Sequence, residues 1–200
     1  MRSQNRNVTD MKRCLQLIPR GGLANRLRAI NSGFGFAVDL DVNFSITWMA
    51  RPECNCRFSD LFEPITGVAT KSFRRVQSRI LDFSYDMRLP CLFNGRLFLD
   101  NDVMSGKSGY EQLSISIAEH DVTVRTTCDF FPGKGDFSWL TLNTHLEREV
   151  ERVVSGFGEN TIGVHIRRGD NTKSIQYSPL EEFIALLGDE VSRDDKVQFY

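Results

Sequence analysis

The sequence lacks a hydrophobic run that could cross a bilayer, and it lacks an excess of charge of either sign. A membrane-spanning helix needs about 20 predominantly apolar residues, and no such run occurs among the 200 residues. The 25 Lys and Arg residues against 26 Asp and Glu give a formal net charge of −1. This balance argues against nucleic acid or an anionic membrane as the main partner, although it leaves room for a local basic site.

The sequence also lacks the marks of a secreted protein. The basic residues Lys12 and Arg13 precede an apolar stretch that is too short and too interrupted for a signal peptide, so we expect a cytoplasmic chain. Five cysteines are an odd number, unlike the paired cysteines of a small disulfide-rich fold. Cys54 and Cys56 form a Cys-x-Cys pair without a second pair at zinc-ligand spacing. We therefore expect free thiols there and no metal site.

What is present is the composition of a globular protein. Hydrophobic residues make up 40% of the chain, and 15 Gly with 6 Pro are an ordinary share, which excludes a disordered or collagen-like chain. The length allows one domain of ordinary size and part of a second. We expect a disordered polar tail over residues 1–10, a first Rossmann-like lobe over 11–158 and the beginning of a second lobe over 159–200.

The hydrophobic pattern predicts alternating strands and helices. Residues 13–19 are typical of a strand, apolar residues then recur at helical spacing from Leu23 to about Leu40, and 43–49 are typical of a second strand. This order indicates a parallel sheet with right-handed crossovers, as in a Rossmann-like lobe. Further along, the pattern predicts a helical turn at 58–62 and strands at 79–83 and 121–127, while 85–109 is ambiguous.

The last third of the sequence predicts a shorter alternation of helices and strands. A helix is expected over 138–156, a strand over 161–166 and another strand beginning near 196. Between the two strands, Ser178 as N-cap, Pro179 at the first helical position and Glu181 three residues after the cap predict a helix start.

Two loops carry residues suited to chemistry. The first is the turn Gly21-Gly22-Leu23-Ala24-Asn25 between a strand and a helix. Glycines let the backbone approach a ligand, and the following helix offers free N–H groups to an anion. Asn25 would add an amide donor, and Arg26 and Arg28 would bring positive charge. Taken alone, such a turn is more often structural than functional.

The second loop is His165-Ile166-Arg167-Arg168-Gly169-Asp170 at the end of a predicted strand. Open α/β sheets bind ligands outside the carboxyl ends of their strands. Alternation places His165 and Arg167 on one side of the strand, and the planar guanidinium suits a diphosphate. The alternative is structural: an arginine pairs with Asp170 to hold the turn, and His165 belongs to the core.

Together the two loops resemble a known superfamily. The turn Gly21-Gly22-Leu23-Ala24-Asn25-Arg26 and the run Val164-His165-Ile166-Arg167-Arg168-Gly169-Asp170 are similar to signatures of the α-1,2-, α-1,6- and protein O-fucosyltransferases. The pairs Ser174-Ile175 and Ser178-Pro179 are also similar. Ala24 departs from the glycine usual at its position.

The resemblance implies a GT-B fold of two Rossmann-like lobes, of which the second is incomplete here, and transfer of fucose from GDP-fucose with inversion and without an obligatory metal or other cofactor. It implies that Arg167 binds the donor diphosphate and stabilises the departing GDP. His165 would contact the nucleotide, and Arg168 and Asp170 would shape the loop. Gly21, Gly22 and Asn25 would approach the donor phosphates from the first lobe. The partners would be this donor and a glycan or peptide acceptor.

Alternatives stay open at this point. The chain is either an active transferase, or a truncated or degenerate fragment that binds nucleotide weakly without turnover, or an α/β domain for another nucleotide sugar. A nucleic-acid-binding function has still less support, because Arg74-Arg75 and Arg167-Arg168 are isolated basic pairs. Asp39, Asp60 and Asp102 are unranked candidates for the acceptor base, and the oligomeric state is unknown.

Overall fold

A computed structural model describes residues 12–88, 96–100, 106–131, 137–166 and 172–200. The chain divides into two compact units, Met1–Thr144 and His145–Tyr200. The first unit contains a mixed α/β fold around a parallel sheet. The second contains a two-stranded parallel sheet with helices.

The first unit begins as the sequence predicts. Strand β1 (Cys14–Pro19) leads through the glycine turn into helix α1 (Leu23–Asp39), which is followed by strand β2 (Asn43–Met49). The two strands are parallel, with Leu17 opposite Ile46. A single 3-10 turn at Phe58–Asp60 then follows, where a helical turn was predicted.

The remaining elements complete a five-stranded sheet. They are strand β3 (Ala69–Phe73), helix α2 (Arg75–Asp86), strand β4 (Leu97–Asp100), helix α3 (Gly106–Glu119) and strand β5 (Val122–Thr126). The strand order is β3-β2-β1-β5-β4, and all neighbours are parallel. The predicted parallel α/β fold is thus confirmed, as is the strand predicted at 121–127. The pattern did not reveal β3, β4 or α3.

The sheet has an apolar layer on each face. Leu15 and Leu17 point to the face where α1 and α3 pack, and the shared core there includes Ile30, Phe36 and Leu113. Ile18 and Met49 point to the opposite face and meet Tyr85 of α2. We call this second side the α2 face. Because β1 lies in the middle of the sheet, its carboxyl end lies among the ends of all the other strands.

One predicted strand is wrong. Residues 79–83 lie inside α2, where Ser78 and Tyr85 are buried and Ile80 and Phe83 are 63% and 65% exposed. The two buried residues, Ser78 and Tyr85, are seven positions apart, which is two helical turns. The short apolar run is therefore part of an amphipathic helix.

The helix predicted over 138–156 begins later. Helix α4 is Thr144–Val154, because the residues before it are held by the rest of the first unit. Leu142 forms an antiparallel bridge with Phe62, and Asn143 N–H donates to Leu61 O at 2.9 Å. The Trp139 ring stacks on Phe34 at 4.2 Å.

The second unit is small and its elements are short. Strand β6 (Thr161–Ile162) pairs with strand β7 (Gln198–Phe199), and helices α5 (Thr172–Tyr177) and α6 (Leu180–Arg193) lie between them in sequence. Helix α6 confirms the predicted helix, but its N-cap is Pro179 and no side chain caps it. The predicted cap at Ser178 is therefore off by one residue. In the part of the chain that the structure describes, no helix has the length and apolar character to span a membrane.

Candidate functional site

The glycine turn presents the start of α1 at the carboxyl end of β1. Gly21 has a φ of 78°, and Gly22 is the extended N-cap of α1. In the part of the chain that the structure describes, no side chain caps this helix, and its first turn contains no acidic residue. The first backbone N–H groups of a helix have no partner within the helix, and they carry partial positive charge. The turn therefore has the local geometry of an anion-binding loop.

Asn25 is packed beneath this turn. A Cβ atom added to Gly21 would lie 2.8 Å from Asn25 Nδ2 and 3.3 Å from Asn25 Cβ. Asn25 Oδ1 in turn accepts a hydrogen bond from Arg28 Nη2 at 2.5 Å. Position 21 thus requires glycine for two reasons, its left-handed φ and the side chain of Asn25. Gly22 is less restricted, since the nearest atom to a Cβ added there would be Glu53 O, at 3.8 Å.

Arg26 is part of the interior, and the expectation that it brings charge to a ligand is wrong. Its side chain is fully buried; Nε donates to Gly21 O at 2.8 Å and Nη1 donates to Met49 O at 2.8 Å. The guanidinium carbon lies 4.5 Å from the centroid of the Trp48 ring. Burial lowers the pKa of Arg26. This arginine ties the glycine turn to the end of β2.

Three further arginines lie at the carboxyl edge of the sheet. Arg20 follows β1, Arg51 follows β2 and Arg125 lies in β5 opposite Ile18. Their positions alternate with those of the α1-facing residues, so all three belong to the α2 face. We call them the edge arginines.

Arg125 is tightly paired. Its side chain is 6% exposed; Nη2 binds Asp100 Oδ2 at 2.5 Å and Nη1 binds Asp86 Oδ1 at 2.6 Å. Burial alone lowers the pKa of Arg125, but the hydrogen bonds that its guanidinium donates to Asp100 and Asp86 outweigh this effect and raise the pKa. Arg51 forms an ion pair with Asp82 of α2, although its Nε and Nη2 atoms are buried without a hydrogen-bond partner among the described residues.

Arg20 differs from its two neighbours. Its backbone N–H donates to Thr126 O at 2.9 Å, which extends the pairing of β1 with β5 by one residue. Its side chain is half-buried, and among the described residues no side chain forms an ion pair or hydrogen bond with it. Burial, together with the positive charges of Arg51 and Arg125, lowers the pKa of Arg20.

The two thiols of the Cys-x-Cys pair lie behind the turn that carries Arg51. Cys54 is buried, and its Sγ atom is 3.6 Å from Cys56 Sγ. Burial and the neighbouring Cys54 raise the pKa of Cys56 to about 11. Both cysteines are free. Within the described ranges, no group of three or more His, Cys, Asp or Glu side chains is arranged to hold a metal ion.

The second predicted loop is described only at its start. His165 is exposed and lies beyond β6, where Val164 N–H donates to Tyr200 O at 2.8 Å and continues the pairing with β7. Arg167, Arg168 and Asp170 lie outside the described residues, and so does Asp102. Of the other two candidate bases, Asp39 accepts a hydrogen bond from Tyr110 at 2.8 Å, and Asp60 caps the 3-10 turn through Arg57 N–H at 2.7 Å.

Sequence reasoning missed the edge arginines. Arg51 and Arg125 are separated from Arg20 by 31 and 105 positions, as their residue numbers give, and only the strand order brings them together. A signal was nevertheless present, because each arginine lies at the end of a predicted strand. Such ends meet at one edge of a parallel sheet.

Comparison with known proteins yields a distant likeness to a solved structure. No protein-family model matches the sequence, and no curated protein matches it. Among solved structures, the chain is similar to the crystal structure of NodZ alpha-1,6-fucosyltransferase soaked with GDP-fucose, with a TM-score of 0.49 and 16% identity. The match covers 88% of this chain and 66% of that chain, so the chain spans slightly less than two thirds of that enzyme's length. The likeness is one of fold, at a distant level.

Proposed function

We propose that the chain is a nucleotide-sugar-dependent glycosyltransferase, or the part of one that holds the donor, and that its donor is GDP-fucose. The observation that carries the proposal is the Gly21-Gly22 turn at the carboxyl end of β1, followed by an uncapped helix. The donor identity rests on the sequence motifs around Asn25 and Arg167.

The local geometry supports phosphate binding at the turn. A diphosphate approaching it meets backbone N–H groups at the start of α1 and no carboxylate in the first helical turn. Gly21 and Gly22 present no side chain that would keep the phosphate away. Asn25, packed against Gly21, keeps the turn in this shape.

The chemistry we propose needs a positive group at the leaving diphosphate. Transfer of a sugar from a nucleotide sugar moves negative charge onto the departing GDP, and a fixed guanidinium stabilises that charge more in the transition state than in the ground state. We assign this role to Arg167. His165 would contact the nucleotide, and Arg168 and Asp170 would support the loop.

The test is release of GDP and of fucose from GDP-fucose by the full chain, together with calorimetric titration of GDP, UDP and ADP. We expect a clear preference for GDP. Replacing Arg167→Ala should slow turnover by roughly 100- to 1,000-fold, the usual effect of losing one preorganised donor, and Arg167→Lys should restore little of it because the bidentate geometry is lost. Normal turnover by Arg167→Ala would remove this assignment.

The other two functions are outcomes of the same experiment. GDP binding without any release of fucose would indicate a binding fragment. Equal or tighter binding of UDP or ADP would indicate another nucleotide sugar. Arg79→Gln is the matched control, because Arg79 is an exposed arginine of α2 and lies outside both proposed loops.

A further inference from the structure

The edge arginines share one face of the sheet, and the backbone fixes their positions. Arg20 comes two residues after Ile18, and its N–H group continues the ladder to Thr126. Arg51 comes two residues after Met49, and the intervening Ala50 N–H donates to Phe73 O at 3.0 Å. Since side chains alternate along a strand, the three guanidinium groups leave the sheet on the α2 face.

Among the described residues, three carboxylates near the edge arginines hold two of the three arginines. Asp82 pairs with Arg51, and Asp86 and Asp100 both pair with Arg125. The formal charges therefore cancel, but the pairing is uneven. Among the described residues, none forms an ion pair or a side-chain hydrogen bond with Arg20.

An arginine in this position favours an anion. A guanidinium has five N–H donors and no acceptor, and burial removes part of the hydration of a charged side chain. Burial lowers the pKa of Arg20 and the positive fields of Arg51 and Arg125 lower it further, while the carboxylates of Asp82 and Asp100 offset only part of this. A bound oxyanion would offset both effects.

We propose that Arg20 anchors an oxyanion-binding site on the α2 face of the sheet edge, and that this site takes a phosphate or diphosphate group. Arg51 and Arg125 line the site as fixed positive groups, because Asp82, Asp86 and Asp100 hold their side chains in place. The planar fork of Arg20 supplies the direct hydrogen bonds. This site is a second one, in addition to the glycine turn at the start of α1.

The phosphate has two chemical sources. It is either the diphosphate of a nucleotide or a phosphate group on a second substrate. Competition separates them. If GDP displaces inorganic pyrophosphate from the protein, the site holds the nucleotide diphosphate; if both bind at once, the site serves a second phosphorylated ligand.

The test is calorimetric titration of inorganic pyrophosphate into the full chain at low ionic strength. The wild type should bind it, and Arg20→Gln should bind about 10- to 100-fold more weakly, as expected for losing one or two charge-assisted hydrogen bonds. Arg79→Gln should bind like the wild type. Absence of pyrophosphate binding to the wild type, or equal binding by Arg20→Gln, would overturn the proposal.

A second measurement separates a binding role from a structural one. Without ligand, Arg20→Gln should be about as stable as the wild type, because the substitution removes the repulsion from Arg51 and Arg125 together with the weaker attraction of Asp82 and Asp100. With pyrophosphate, only the wild type and Arg79→Gln should show a raised melting temperature. A large loss of stability in ligand-free Arg20→Gln would mean that Arg20 is structural. Neither readout depends on fucose transfer, so this proposal and the proposed function fail independently.

Discussion

The guanidinium of Arg26 lies over the ring of Trp48, 4.5 Å from its centroid. The same guanidinium donates to the carbonyl of Gly21 and to that of Met49. The first turn of α1 is therefore fastened to the end of β2 by a buried cation whose partners are backbone carbonyls and an aromatic face. The shape of the glycine turn depends on this contact.

We expect Arg26→Ala to lower the free energy of unfolding by about 3 kcal/mol, since it leaves two carbonyls without a donor and a cavity beside Trp48. Urea unfolding followed by tryptophan fluorescence measures it. Arg28→Ala, at an exposed position of the same helix, should change stability by no more than about 0.5 kcal/mol. Similar effects of the two substitutions would contradict the anchoring role of Arg26.

Gly21 and Gly67 form a matched pair for testing the turn. Both have positive φ, 78° and 76°, but an added Cβ meets Asn25 at position 21 and nothing within 4 Å at position 67. We expect Gly67→Ala to cost about 1 kcal/mol from its backbone alone, and Gly21→Ala to cost more. In addition, only Gly21→Ala should weaken GDP binding. If Gly67→Ala weakened it equally, the effect would reflect general destabilisation.

The ion pairs of Arg125 should differ in strength. Asp100 binds through two contacts and is 37% exposed at its side chain, whereas Asp86 makes one contact and is 60% exposed. We expect a coupling energy above about 1 kcal/mol for Asp100 with Arg125, and about 0.5 kcal/mol for the more exposed Asp86. Double-mutant cycles with Asp100→Asn, Asp86→Asn and Arg125→Met measure both. A larger coupling energy for Asp86 than for Asp100 would contradict the geometry of these two ion pairs.

Cys56 should make stability depend on alkaline pH. Its pKa is raised to about 11 in the folded protein from an ordinary value of 9.0. The unfolded chain therefore loses this proton first, and the free energy of unfolding should fall as pH rises from about 9 to about 11. Unfolding curves across this range measure the effect, with Cys56→Ser as control. The control should show a flatter pH dependence.

The same pKa shift should slow alkylation of Cys56. Only the thiolate reacts, and a shift of two pH units lowers the thiolate fraction near pH 8 roughly 100-fold. Modification by iodoacetamide, followed by mass spectrometry of the peptide containing Cys56, should be slow in the folded protein and fast in urea. Equal rates in both states would contradict the raised pKa of Cys56.

The sequence was sufficient where a pattern was long and local. The run from Leu23 to Leu40 has five turns of amphipathic spacing, and the helix formed there, ending one residue earlier at Asp39. The sequence was insufficient for residues 79–83. An apolar run of five residues is too short to show whether the period is that of a strand or that of a helix. It was also insufficient at 138–143, where pairing of Leu142 with Phe62 outweighs local helical preference.

By itself, the sequence determined the β1-α1-β2 start of the first unit and the glycine turn between β1 and α1, because hydrophobic periodicity and glycine act over a few neighbouring residues. Only the tertiary structure decided which arginines are interior, paired or left without a carboxylate. Arg26 lies against Trp48, Arg51 and Arg125 pair with Asp82 and Asp100, and Arg20 pairs with no carboxylate among the described residues. Such pairings join residues from different strands, so they follow from strand order and burial, which no local pattern specifies.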